Sequence, residues 1–220
     1  MVLDLVDFAL TFIPGSALGL GARTTAESLA ASRAMREGIE AQEQAVRRAG
    51  DAFHNELVLE SRDAYQRAVQ RHTTISRVKR DRQRAVSSDG VHTLSGWGLD
   101  RRPSGFQDPN VDEVFRVTDD MGYPRTRSGA VDHGEPGRFL GSHAERQEAL
   151  TAERPAIGVS RELCEDCPGW FRHFAQYRGR TWYVTDPDGT WVFYTDGSVT
   201  MPSGRQIAFG EPFPGKYLNH

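Results

Sequence analysis

The stretch Gly141-Ser142-His143-Ala144-Glu145-Arg146-Gln147, followed after a gap by Cys164-Glu165-Asp166-Cys167-Pro168-Gly169-Trp170-Phe171, decides the reading of this chain. Its two cysteines are the only ones among 220 residues. At C-x-x-C spacing they cannot frame a fold with a long-range disulfide. Taken alone, the pair has three readings: zinc ligands, a redox dithiol, or incidental thiols. A redox pair needs no His-x-Glu upstream, and here one is present. His143, Cys164 and Cys167 make three ligands for one zinc ion and leave a fourth position for water, the layout of a catalytic zinc. Glu145 then stands as a carboxylate that is not a ligand and can shuttle a proton beside an acidified water. Ser142-x-x-Glu145 is also a capping box, in which the glutamate folds back on the Ser142 N–H.

The neighbouring elements suit this chemistry. Ser142 to Ala152 predicts a helix, Ala156 to Ser160 a small buried strand running into the cysteines, and Cys167 to Tyr177 an aromatic-rich helix. Thiolates are favoured at a helix N-terminus, where backbone N–H groups and the dipole stabilise negative charge. Further out, Pro109 to Met121 predicts a helix with one apolar face. Short strand candidates lie around Ala130-Val131-Asp132 and Arg138-Phe139-Leu140. The runs Thr181–Thr185 and Thr190–Tyr194 flank Asp186-Pro187-Asp188-Gly189, a hairpin signal. The tail after Gly197 reads as irregular.

Upstream, Thr24 to Ser87 lacks proline and carries apolar residues at Leu29, Ile39, Val46, Ala49, Phe53, Leu57, Ala64, Ala68, Val69, Ile75 and Val78. That is a helical stripe, read as one long helix or a helical hairpin serving as spacer or dimerising element. Its basic end, Arg77 to Arg84, suits either nucleic-acid contact or the solvated last turns of a helix. Gly90, Gly96, Gly98, Pro103 and Gly105 then punctuate a linker. The expected division is a helical region 1–88, a linker 89–107 and a domain 108–220, with residues 105–220 folding alone. Met1 to Leu20 carries Asp4 and Asp7 and is broken by Pro14-Gly15, so it reads as a short helix, neither signal peptide nor membrane span.

A formal net charge of −3 announces no nucleic-acid binder, although a local basic groove would suffice for one. Substrate-side candidates are His133 in the loop before the site, Ser160 at the end of the strand, and Trp170 and Phe171, which could stack on bases. The competing reading of the two aromatics is core.

Gly141–Gln147 followed by Ile157–Cys167 resembles the cytidine-deaminase-like superfamily, built on H-x-E and P-C-x-x-C. Within it, the chain is similar to deaminase domains of bacterial polymorphic toxins and to the DYW-type domains of plant RNA-editing factors. Met121–Pro124 and Val184–Asp186 sit where comparable stretches of those domains sit. Leu163 stands where many relatives have proline, and the weak strands before His143 suggest an abbreviated first hairpin. No second zinc set like that of the DYW tail is present, so plant-style editing is not supported. The resemblance implies a three-layer α/β/α fold with a mixed sheet, preceded here by a helical region. It implies zinc on His143, Cys164 and Cys167, with Glu145 moving the proton. The expected activity is conversion of cytosine to uracil in nucleic acid, single-stranded DNA before RNA. The expected setting is a secreted or delivered effector that acts in a target-cell cytoplasm and is paired with a cognate immunity protein. The alternatives are a deaminase of free nucleosides or nucleotides, and a non-enzymatic module with a structural zinc.

Overall fold

Side chains from 156 to 193 alternate between two buried environments, and that alternation sets the architecture. The computed structural model describes residues 25–75, 85–95, 103–124, 131–132, 135–136 and 140–214. Four helices are described: α1 (Thr25–Thr73), α2 (Val111–Asp120), α3 (Ala144–Thr151) and α4 (Cys167–Arg178). A seven-stranded sheet contains β1 (Ala85–Ser87), β2 (His92–Leu94), β5 (Ala156–Val159), β6 (Trp182–Asp186), β7 (Gly189–Phe193), β8 (Val199–Thr200) and β9 (Gln206–Ile207). Its order is β2-β1-β5-β6-β7-β8-β9. Only β5 and β6 run parallel; the other neighbours are antiparallel, so the sheet is mixed. β3 (Val131–Asp132) and β4 (Glu135–Pro136) pair separately.

Ile157, Val159, Trp182, Val184, Trp191 and Phe193 point to one face and pack with Trp170, Phe171 and Phe174 of α4. Ala156, Tyr183 and Val192 point to the other and pack with Leu57 of α1. Period-2 alternation with both faces buried means helices on both sides. The sheet is thus the middle of three layers, with residues 50–73 of α1 on one side and α2, α3 and α4 on the other. The approach of α1 is close: a Cβ on Gly158 would lie 1.8 Å from the Tyr65 backbone nitrogen. Only glycine leaves room for the helix there. Ser61 Oγ meets Thr185 Oγ1 at 2.8 Å, and His54 Nδ1 meets the Tyr183 hydroxyl at 2.9 Å, so α1 is also tied to the sheet by polar contacts.

The expected division is a helical region 1–88, a linker 89–107 and a domain 108–220. The stretch read as linker contains β2, the region read as spacer contains β1, and both pair within the sheet. The hairpin thought abbreviated before His143 lies upstream as β1–β2, two strands of three residues each. The chain divides into two compact units, Met1–Ala49 and Gly50–His220. In the first, the described residues are helical, and Met35, Ile39 and Val46 are exposed. The second contains the sheet and the stripe Leu57, Ser61, Ala64 and Ala68, which is buried. The tail read as irregular forms β8 and β9 and buries Phe213. Met1–Leu20 and Arg77–Arg84 lie outside the described residues.

Glu148 is fully buried on α3, facing β1 and β2. Burial lifts its carboxyl to about 7, and the Ser88 and Thr93 hydroxyls only partly offset the rise. Because the folded state holds this proton more tightly, its stabilising contribution is complete below about pH 4.5 and lost as pH rises through about 7. Glu148→Gln is therefore expected to gain stability over wild type at pH 8 but not at pH 4, by on the order of 3 kcal/mol. Denaturant unfolding at the two pH values measures this, and parallel pH profiles for the two proteins would exclude it.

Candidate metal centre

The connections of β5 bring the two halves of the motif together. α3 leads into the start of β5, so the α3 N-terminus lies back toward the far end of that strand. The chain then leaves β5 through residues 160–166 and enters α4. Both helices pack on the same face, and both N-termini meet at the carboxyl end of β5, the end at which open α/β sheets hold ligands. α4 starts at Cys167 with Pro168 in its first turn, where a missing N–H costs nothing. It stops at Gly179, whose left-handed φ of 60° closes the last turn.

His143 is the N-cap of α3, and this helix start has no side-chain capping hydrogen bond. Ser142, the cap residue of the capping-box reading, is thus not the N-cap of this helix. Glu145 instead turns inward, fully buried, with Oε1 accepting from Cys167 Sγ at 3.2 Å and lying 3.6 Å from His143 Nδ1. Cys167 Sγ is 3.6 Å from His143 Nδ1, and the Cys167 backbone N–H donates to Cys164 Sγ at 3.2 Å. The four donor atoms lie within 4.8 Å of one another. Tetrahedral ligands at about 2.0–2.3 Å from one zinc stand roughly 3.3–3.8 Å apart, so the residues present fit such an ion. Cys167 and Glu145 form the buried floor, while His143 and Cys164 are partly open to solvent.

Charge in the cluster is already arranged for a cation. Burial pushes both thiols up, but the Cys167 hydrogen bond and the His143 charge take Cys164 well below its ordinary value. Cys167 is driven the other way by burial and by its thiolate neighbour. Burial pulls His143 down, yet Cys164 and then Glu145 raise it to about 10. A divalent ion bound here would have to displace protons from thiol and imidazole groups, so its binding would be pH-dependent.

The other candidates fall elsewhere. Trp170 and Phe171 are fully buried, with Trp170 stacked on Phe174 at 4.6 Å and Phe171 on Phe193 at 5.3 Å. They offer no surface to a base; they are core, and each such pair adds about 0.5–1.5 kcal/mol beyond area burial. Ser160 lies just past the end of β5, its Oγ accepting from the Ala85 N–H and its own N–H donating to the Ala85 carbonyl. His133 lies outside the described residues. Sequence reasoning missed the groups that hold the cysteine loop. Asp186, read as a hairpin residue and as the end of a stretch shared with the resembled deaminase domains, accepts from the Leu163 N–H at 3.0 Å, from Trp191 Nε1 and from the Asp188 N–H. Arg146 pairs with Asp166, and the Tyr123 hydroxyl donates to the Asp166 carbonyl. The one signal for the ion pair was its position inside the two halves of the motif.

A family match over part of the chain supports a bacterial toxin deaminase domain of the cytidine-deaminase-like superfamily. The family whose model matches is described as single-strand DNA deaminase toxin A, C-terminal, and the match runs from residue 92 to 149. It takes in β2, α2, His143 and Glu145 and leaves Cys164 and Cys167 beyond its end. No curated protein matches the chain significantly. Among the described residues, no helix is long and apolar enough to cross a membrane.

Proposed function

We propose that this chain is a zinc-dependent cytosine deaminase of single-stranded DNA, the toxic module of a delivered bacterial effector. The observation that carries the reading is Glu145: it leaves the cap position and lies buried against the three residues that would hold the ion. His143, Cys164 and Cys167 would hold zinc, which when bound makes a water nucleophilic near neutral pH. Glu145 Oε1 would accept the proton of the attacking water and pass it on to the base. In sum, water adds at C4 of cytosine, the C4–N bond breaks, and ammonia leaves uracil behind. The family match over 92–149 favours single-stranded DNA over free nucleosides and RNA. An enzyme that rewrites DNA would poison its maker, so a cognate immunity protein and action in a target-cell cytoplasm belong to the same reading.

The test is uracil formation by the purified, zinc-loaded protein. Single-stranded DNA, duplex DNA, RNA and free nucleosides would be offered in parallel. Product is expected in single-stranded DNA first, zinc near one equivalent, and strong loss of zinc in Cys164→Ser. Product from free nucleosides alone would shift the reading to a metabolic deaminase. A zinc-loaded protein with no product on any substrate would leave only a structural metal module.

A further inference from the structure

Arg146 and Asp166 carry opposite charges in a place where neither is needed for solubility. Their side chains are 3% and 4% exposed, and Arg146 Nη2 donates to Asp166 Oδ2. Arg146 follows Glu145 on α3, while Asp166 lies between Cys164 and Cys167. The ion pair therefore joins the segment bearing His143 and Glu145 to the turn bearing both cysteines, across 20 residues of chain. Its surroundings fix it further. The guanidinium carbon sits 5.5 Å from the Trp170 ring centroid and 6.0 Å from that of Tyr123. The Tyr123 hydroxyl grips the Asp166 carbonyl at 3.2 Å, and Trp170 Nε1 donates to Thr118 Oγ1 at 2.9 Å. Asp166 is thus held at its carboxylate from one segment and at its carbonyl from another.

Stability is a poor reason for such a pair, because replacing a buried ion pair by apolar groups of similar size is often neutral or stabilising. What an ion pair adds is direction and distance. Successive residues on a helix point about 100° apart, so Glu145 and Arg146 reach two different points of the same turn, Cys167 and Asp166. We propose that Arg146 and Asp166 are positioning residues that clamp the His143–Glu145 half of the site to the Cys164–Cys167 half, assembling the donor set before an ion arrives. The clamp rests on the reading of that set as a zinc site.

The experiment compares wild type with the double variant Arg146→Met/Asp166→Leu and with Asp166→Asn, which is isosteric and keeps an acceptor for Arg146. Thermal unfolding of the metal-free proteins reports the fold. Zn2+ affinity by chelator competition and the Co2+ absorption spectrum report the donor geometry. The double variant is expected to melt near wild type yet bind Zn2+ about 10–100-fold more weakly, the range for groups that orient metal ligands. Its Co2+ spectrum should shift as well. If the double variant does not fold, Asp166→Asn is read in the same way below its own melting temperature. Wild-type Zn2+ affinity in a folded variant overturns the clamp. A pair without which neither variant folds is merely structural, which overturns it equally. Failure of the underlying site reading would show separately, as wild type that binds no Zn2+ at all.

Discussion

Glu145→Gln is expected to keep its fold and its zinc while losing about 10²–10⁴-fold of its deamination rate, the usual weight of a general acid–base group. Glutamine has the same length and accepts a hydrogen bond at the same oxygen, so the contact from Cys167 Sγ can persist. What it cannot do is take up a proton. A capping role alone would leave the activity of Glu145→Gln nearly intact, because glutamine also serves in a capping box. The remaining competitor is Glu145 as a fourth zinc ligand, and zinc content separates the two. A ligand role would lower zinc along with activity; a shuttle lowers activity alone. Uracil scored on single-stranded DNA, with metal analysis on the same sample, gives both readings. Normal uracil production by the zinc-loaded variant would end the assignment.

The second large effect concerns where the folding unit starts. We propose a unit beginning near Gly50, so that residues 50–214 should unfold cooperatively and bind zinc, whereas a chain starting at 105 should do neither. Cutting at 105 strips α1 from Ala156, Tyr183 and Val192 and leaves that apolar face to water. It also removes β1, opening the β5 edge to pairing with other chains. The expected outcome is aggregation with no heat-induced transition and no stoichiometric zinc. A soluble 105–220 fragment that melts sharply with one zinc bound would show α1 and the β1–β2 hairpin to be dispensable.

The parts legible in the sequence were those whose signal is local. The hairpin of β6 and β7 announces itself by β-branched and aromatic runs around Asp186-Pro187-Asp188-Gly189, and its register closes on Asp186 and Gly189. His143, Glu145, Cys164 and Cys167 were legible because residue type and spacing alone suggest their chemistry, and the fold brings all four together. Strands of three residues are another matter. Ala85–Ser87 and His92–Leu94 are too short to show a period of two, and Gly90 between them reads as linker. α1 showed its apolar stripe, but Leu57 and Ile39 look alike in sequence, and only the first is buried. The pairing of Arg146 with Asp166 was hard to read for a third reason. Two charges 20 residues apart look solvated until the turn after β5 places them face to face.

The packing of α1 against strands far along the chain also governs how the molecule is made. Ser61 finds Thr185 across 124 residues, and His54 finds Tyr183 across 129. These partners reward the helix only once the distant strands are made. Contacts of this range slow refolding toward the millisecond-to-second end of the scale for small domains. During synthesis at about 5–20 residues per second, α1 is complete for roughly 6–24 s before β7 emerges to cover it. For that interval the face of α1 that meets β6 and β7 has no partner strand.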